Sequence, residues 1–108
     1  NYPWPKTIGI DEHSFVRNTK THFKEFATVF VDYNNNRVRE VALGRSIKDL
    51  ESSRVMDIKG RENVKNVVID MSSTFKKFTR DNFPNATITV DKFHVIKLFN
   101  HALNLIII

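Results

Sequence analysis

Apolar residues fall into short runs divided by polar turns, and the period of each run predicts its element. Ile8-Gly9-Ile10-Asp11 opens a first strand that continues toward Phe15. Phe26–Asp32 and Val38–Leu43 read as two further strands around Asn34-Asn35-Asn36, a turn whose asparagines tolerate positive φ. The polar segment Arg17–Glu25 predicts a loop that widens the first connection. Ser46-Ile47-Lys48-Asp49 has the form of a capping box, so a helix should follow through about Ser52 to Met56. Gly60 breaks that pattern. Val64–Ile69 reads as a buried strand ending at Asp70, and Ser72 or Ser73 caps a helix carrying Phe75, Phe78 and Phe83. After Pro84-Asn85, Ala86–Val90 forms a last strand that ends at Asp91. From Lys92 onward a helical pattern places Phe93, Ile96 and Leu103 near one face. The prolines of Tyr2-Pro3-Trp4-Pro5 predict an extended lead-in, with Trp4 packing on the sheet or on parts of a longer parent.

The element order is β-β-β-α-β-α-β-α. Hairpin-linked strands pair antiparallel, whereas strands separated by helices need right-handed crossovers and pair parallel. The expected fold is α/β, a mixed five-stranded sheet in order 3-2-1-4-5 with flanking helices, which is the RNase H-like topology. An unrelated α/β sandwich is the alternative.

Three apolar runs end in aspartate, at Asp11, Asp70 and Asp91. In an open α/β sheet, ligands collect beyond the carboxyl ends of the strands, where the strand order reverses. In the proposed order that point lies between strands one and four, which puts Asp11 and Asp70 about 5 Å apart in strand spacing. Carboxylates so close repel unless a cation joins them, and Mg²⁺ or Mn²⁺ favours such oxygen ligands. Asp91 belongs one strand further out, about 10 Å from Asp11 by the same spacing, and also reads as an N-cap. For Asp70, cap and ligand readings compete. A carboxylate in mid-strand, as at Asp11, calls for a reason beyond β propensity. Glu12 points to the opposite face as a structural or substrate-edge residue, and Asp32 reads as turn chemistry.

The charge balance is consistent with a polyanionic partner. Lys and Arg number 17 against 12 Asp and Glu, a net +5, though the charge is spread along the chain as it is in many ordinary basic domains. With no Cys there are no disulfides or thiolate sites, which fits a reducing cytoplasm. No run is long enough to span a membrane and no signal-peptide layout opens the chain, which reads as excised from something longer. Only three Gly are present and no phosphate-binding glycine loop or nucleophile elbow, so P-loop and Ser/His/Asp hydrolase chemistry are not indicated.

Ile8–Phe15 (IGIDEHSF), Ala27–Asp32 (ATVFVD), Val64–Met71 (VKNVVIDM) and Phe83–Leu98 (FPNATITVDKFHVIKL) together resemble the catalytic domain of DDE-type bacterial insertion-sequence transposases. The closest group is the ISL-three-like one, and the resemblance runs from about Thr7 to Asn100. It implies a carboxylate triad binding two divalent ions, Mg²⁺ or Mn²⁺, that cuts and joins DNA. Asp11 takes the first place and Asp70 the second, with Asp91 its rival. The third acid, a glutamate on a later helix, has no match, because no Asp or Glu follows Asp91. Residues 1–108 therefore read as a partial catalytic domain, truncated at the C-terminus and inactive alone, or else as part of a decayed copy. The parent would be a cytoplasmic, nucleoid-associated bacterial protein and a homo-oligomer. The alternative is a non-catalytic nucleic-acid-binding or interaction module of the same fold.

His94, Lys97, His101 and Asn104 form a polar stripe at helical spacing, either a solvated face or, at His94, the rim of the site. Lys92 and Lys97, with Lys76, Lys77 and Arg80, are candidate DNA phosphate contacts, against the plainer reading of a charged exterior. The apolar end Ala102–Ile108 predicts self-association.

Overall fold

The computed structural model describes residues 2–18, 23–70 and 72–90, with the backbone alone at 15–18, 23 and 24. Five strands form one sheet: β1 (Thr7–Asn18), β2 (Phe23–Asp32), β3 (Arg37–Leu43), β4 (Asn66–Ile69) and β5 (Thr87–Val90). Their order is β3-β2-β1-β4-β5, as the element pattern predicts. The pairs β1–β2 and β2–β3 are antiparallel, while β1–β4 and β4–β5 are parallel. This is the RNase H-like arrangement. Two helices, α1 (Ile47–Glu51) and α2 (Ser73–Asn82), fill the connections that separate β3, β4 and β5. The helix expected from Lys92 onward lies outside the described residues.

One face of the sheet carries the core. Ile8, Ile10, Phe30, Val67 and Ile69 meet Leu50 of α1 and Phe75 and Phe78 of α2, all almost fully buried. Trp4 joins them from the lead-in, its ring 5.8 Å from Phe30 and 5.4 Å from Phe83, the latter edge-on. Its backbone N–H donates to the Lys59 carbonyl at 2.9 Å, so the segment before β1 is tied to the rest of the fold. The opposite face holds a smaller cluster of Val29, Val31 and Val38.

Two elements differ from the sequence reading. The ladder between β1 and β2 continues through Ser14↔Phe26 and Phe15↔Glu25 to Asn18↔Phe23, where a loop was expected. β4 pairs with β1 only as far as Ile10, and β3 with β2 only from Ala27 onward. The extension is thus a two-stranded ribbon beyond the third and fourth strands, where an apolar alternation is not required to set the pairing. The helix after Ser46 ends early, at Glu51, followed by a 3₁₀ turn at Arg54–Asp57. The cause is a pair of serines that compete with the helical ladder. Ser52 Oγ donates back to the Lys48 carbonyl, while Ser53 Oγ donates to the Leu50 carbonyl and accepts from Val55 N–H.

The capping box itself is present: Ser46 Oγ accepts from Asp49 N–H and the Asp49 carboxylate accepts from Ser46 N–H, both at 3.1 Å. Gly44, at φ +89°, places its open side against that carboxylate, where a β-carbon would collide. Gly44→Ala is therefore expected to cost roughly 2 kcal/mol, the left-handed penalty plus a disturbed cap. Urea denaturation followed through Trp4 fluorescence measures it, and a loss within experimental error would show the loop relaxing freely.

Candidate carboxylate site

Alternation along β1 sorts its side chains. Ile8 and Ile10 enter the core, whereas Gly9 and Asp11 lie on the other face, beside Val31 and Val29 of β2. A β-carbon at Gly9 would press on the Tyr33 ring, so glycine admits that ring against the strand. Asp11 is buried, only 6% exposed. The last parallel pair between β1 and β4 is Ile10↔Ile69, so Asp11 and Asp70 are the next residue on each of two adjacent strands. Strand spacing is about 4.8 Å, which makes the two carboxylates electrostatic neighbours.

The titration of Asp11 reflects this. Burial pushes its pKa above the ordinary value, the negative charges of Asp70 and Glu12 push the same way, and the Glu12 N–H and His13 oppose them. The Glu12 N–H donates to Asp11 Oδ1 at 2.9 Å, fixing one oxygen of the carboxylate. No Lys or Arg pairs with Asp11 among the described residues.

Asp70 follows the end of β4, and the next turn is built around it. Its carbonyl accepts from Ser72 N–H at 2.7 Å, and Ser72 Oγ accepts from Phe75 N–H as the N-cap of α2. Asp70 also borders a cavity of about 260 Å³ with Glu12, Ser72 and Phe75. Glu12 thus lies on the face opposite Asp11, as alternation predicts, yet it shares this hollow with Asp70. Its carboxylate pairs with Arg45 at 3.5 Å, and the Arg45 guanidinium lies 3.6 Å over the Phe26 ring. Sequence reasoning left Arg45 out. It stands alone between Gly44 and the cap Ser46, in no motif, and only folding brings it to Glu12.

Of the basic candidates on α2, Lys77 pairs with Asp81 at 3.0 Å, Lys76 is half-buried and Arg80 is exposed. Asp32 does turn chemistry as expected, accepting from the backbone and side chain of Asn35. Asp91, Lys92, His94 and Lys97 lie outside the described residues, and so does the choice of Asp91 as rival to Asp70.

The donor set fits a hard divalent cation in part. Two neighbouring carboxylates, one of them buried without a basic partner, suit an ion that keeps several water ligands. Among the described residues no group of three or more His, Asp or Glu side chains converges on one point. No helix of the described residues is long and apolar enough to cross a membrane.

A family model described as Transposase, of the ISL-three-like DDE group, matches residues 8–107. Comparison with curated proteins and with solved structures gives no match.

Proposed function

We propose, from the premise that the chain belongs to the ISL-three-like family of DDE transposases, that its sheet carries part of a metal-dependent centre for DNA cleavage and strand transfer. The observation that carries this reading is the register of β1 against β4. It places Asp11 and Asp70 side by side where the sheet changes from antiparallel to parallel pairing. Asp11 and Asp70 would hold Mg²⁺ or Mn²⁺, and the ions would supply activation of water or a 3′-hydroxyl and stabilisation of the departing oxygen. Asp11 contributes a desolvated carboxylate with one oxygen held by the Glu12 N–H. Glu12 borders the same cavity as Asp70 and pairs with Arg45, which would supply a cation to a phosphate approaching from that side. The partner is DNA, the parent a homo-oligomer, and the compartment the bacterial cytoplasm at the nucleoid.

No Asp or Glu follows Asp91, so these carboxylates alone should bind metal weakly and support little strand cleavage. Calorimetric titration with Mn²⁺ tests the pair. Wild type is expected to bind weakly, Asp11→Asn and Asp70→Asn to lose at least tenfold in affinity, and Asp91→Asn to match wild type. A wild type that binds no better than Asp11→Asn would remove the metal site. Loss on Asp91→Asn with none on Asp70→Asn would move the second ligand to Asp91.

A further inference from the structure

A cavity of about 610 Å³ lies away from the carboxylates, between the Tyr2–Pro3 lead-in, β3 and the 3₁₀ turn at Arg54–Asp57. Arg39, Arg54 and Lys59 line it together with Glu40 and Asp57. None of the three cations forms an ion pair among the described residues, although two acids share the same walls. Arg39 is held in place: its guanidinium donates to the Tyr2 carbonyl at 2.5 Å and lies 4.5 Å from the Tyr2 ring and 5.8 Å from that of Trp4. Its Nε is buried and has no acceptor. Arg37 adds a second guanidinium 4.4 Å from the Tyr2 ring. Stacking fixes the arginines with little rotamer entropy left to lose, and the space beside them is open.

We propose that this cleft binds a backbone phosphate of DNA, outside the segment that would react at Asp11 and Asp70. The identity of the polyanion rests on the transposase reading; the cleft itself does not. Arg39 stacks toward Trp4 on the core face of the sheet, whereas Asp11 lies on the other face, so the cleft meets DNA away from the carboxylates. A phosphate contact of this kind fixes position on the DNA and carries no sequence information.

Fluorescence anisotropy of a short labelled duplex, titrated with the 108-residue chain in EDTA over a range of salt, tests the cleft. The double variant Arg54→Gln/Lys59→Gln removes two cations without touching the stacked Arg39. It is expected to bind about tenfold more weakly near physiological salt and to flatten the salt slope by roughly one. Lys48→Gln/Lys65→Gln, matched in charge and exposed elsewhere on the surface, should lose far less. Equal losses in the two doubles would mean diffuse attraction and overturn the cleft. So would a wild type that binds no duplex at low salt, or one that binds poly-glutamate as well as DNA. Mn²⁺ titration of Arg54→Gln/Lys59→Gln separates the two ideas. Retained Mn²⁺ binding with lost DNA binding is the expected pair, whereas cleft-dependent DNA binding in a chain that takes up no Mn²⁺ would sink the catalytic reading alone.

Discussion

Asp11→Asn is expected to raise the melting temperature at pH 7 in the absence of metal and to abolish the stabilising effect of Mn²⁺. The folded state holds the Asp11 proton more tightly than the unfolded chain does, chiefly because the carboxylate is buried and secondarily because Asp70 faces it. The contribution of this group to stability is therefore complete below pH 3.8, its ordinary value, and is lost as pH rises through the higher folded value. At pH 7 the wild type carries a buried charge that asparagine removes, while the amide oxygen can still accept from the Glu12 N–H. A gain of about 1 kcal/mol is in keeping with relief of a functional-site cost, or roughly 4–8 °C in a domain of this size. The gain should vanish in melts below pH 3.8. Mn²⁺ at a hundred times its dissociation constant should add about 2.7 kcal/mol to wild type and nothing to the variant. A variant less stable than wild type at neutral pH, or one that still responds to Mn²⁺, would show that Asp11 is a structural carboxylate.

Phe30→Ala is expected to cost about 3–5 kcal/mol, a large share of the roughly 5–15 kcal/mol that holds a domain together. Phe30 has no exposed surface and meets Trp4 at 5.8 Å and Phe78 at 5.9 Å, so the lead-in, β2 and α2 lose a common contact at once. The Trp4 segment, tied by its hydrogen bond to the Lys59 carbonyl, limits how far its ring can move into the space. Trp4 is the single tryptophan and is buried, so its emission in urea reports the loss directly. Leu43→Ala, at a side chain 71% exposed, should stay within about 0.5 kcal/mol of wild type. A shift at Phe30 no larger than that at Leu43 would contradict the core described for this face.

What could be read from the residues follows from where local pattern and tertiary demand coincide. Strand order was legible because apolar runs separated by a tight asparagine turn must pair antiparallel, and runs separated by helices must cross over. The place of Asp11 beside Asp70 was legible because a carboxylate inside IGIDEH breaks the apolar run for no local reason and follows the part of β1 that pairs with β4. The β1–β2 ribbon was not, since a ribbon beyond the third and fourth strands requires no apolar stripe that could be detected. The short α1 was not, because Ser52 and Ser53 are acceptable helix residues until their hydroxyls turn back on the carbonyls behind them. Arg45 and the Arg39–Arg54–Lys59 cleft depend on contacts between residues far apart in the chain, and no spacing rule anticipates them.

The parallel pairing of β1 with β4 also governs the order in which the protein can assemble. The β1–β2–β3 meander closes only short loops, so its ladders can form early and alone. Parallel β4 must wait for a long stretch of chain to close, and loop-closure entropy makes such pairings slow. Asp11 is therefore expected on the hairpin before Asp70 arrives, an order that folding rates of single-site variants in β2 and β4 would reveal. The docking of β4 is the step that brings the like charges together, so the Asp11–Asp70 pair is the part of the sheet that folding completes against its own electrostatics.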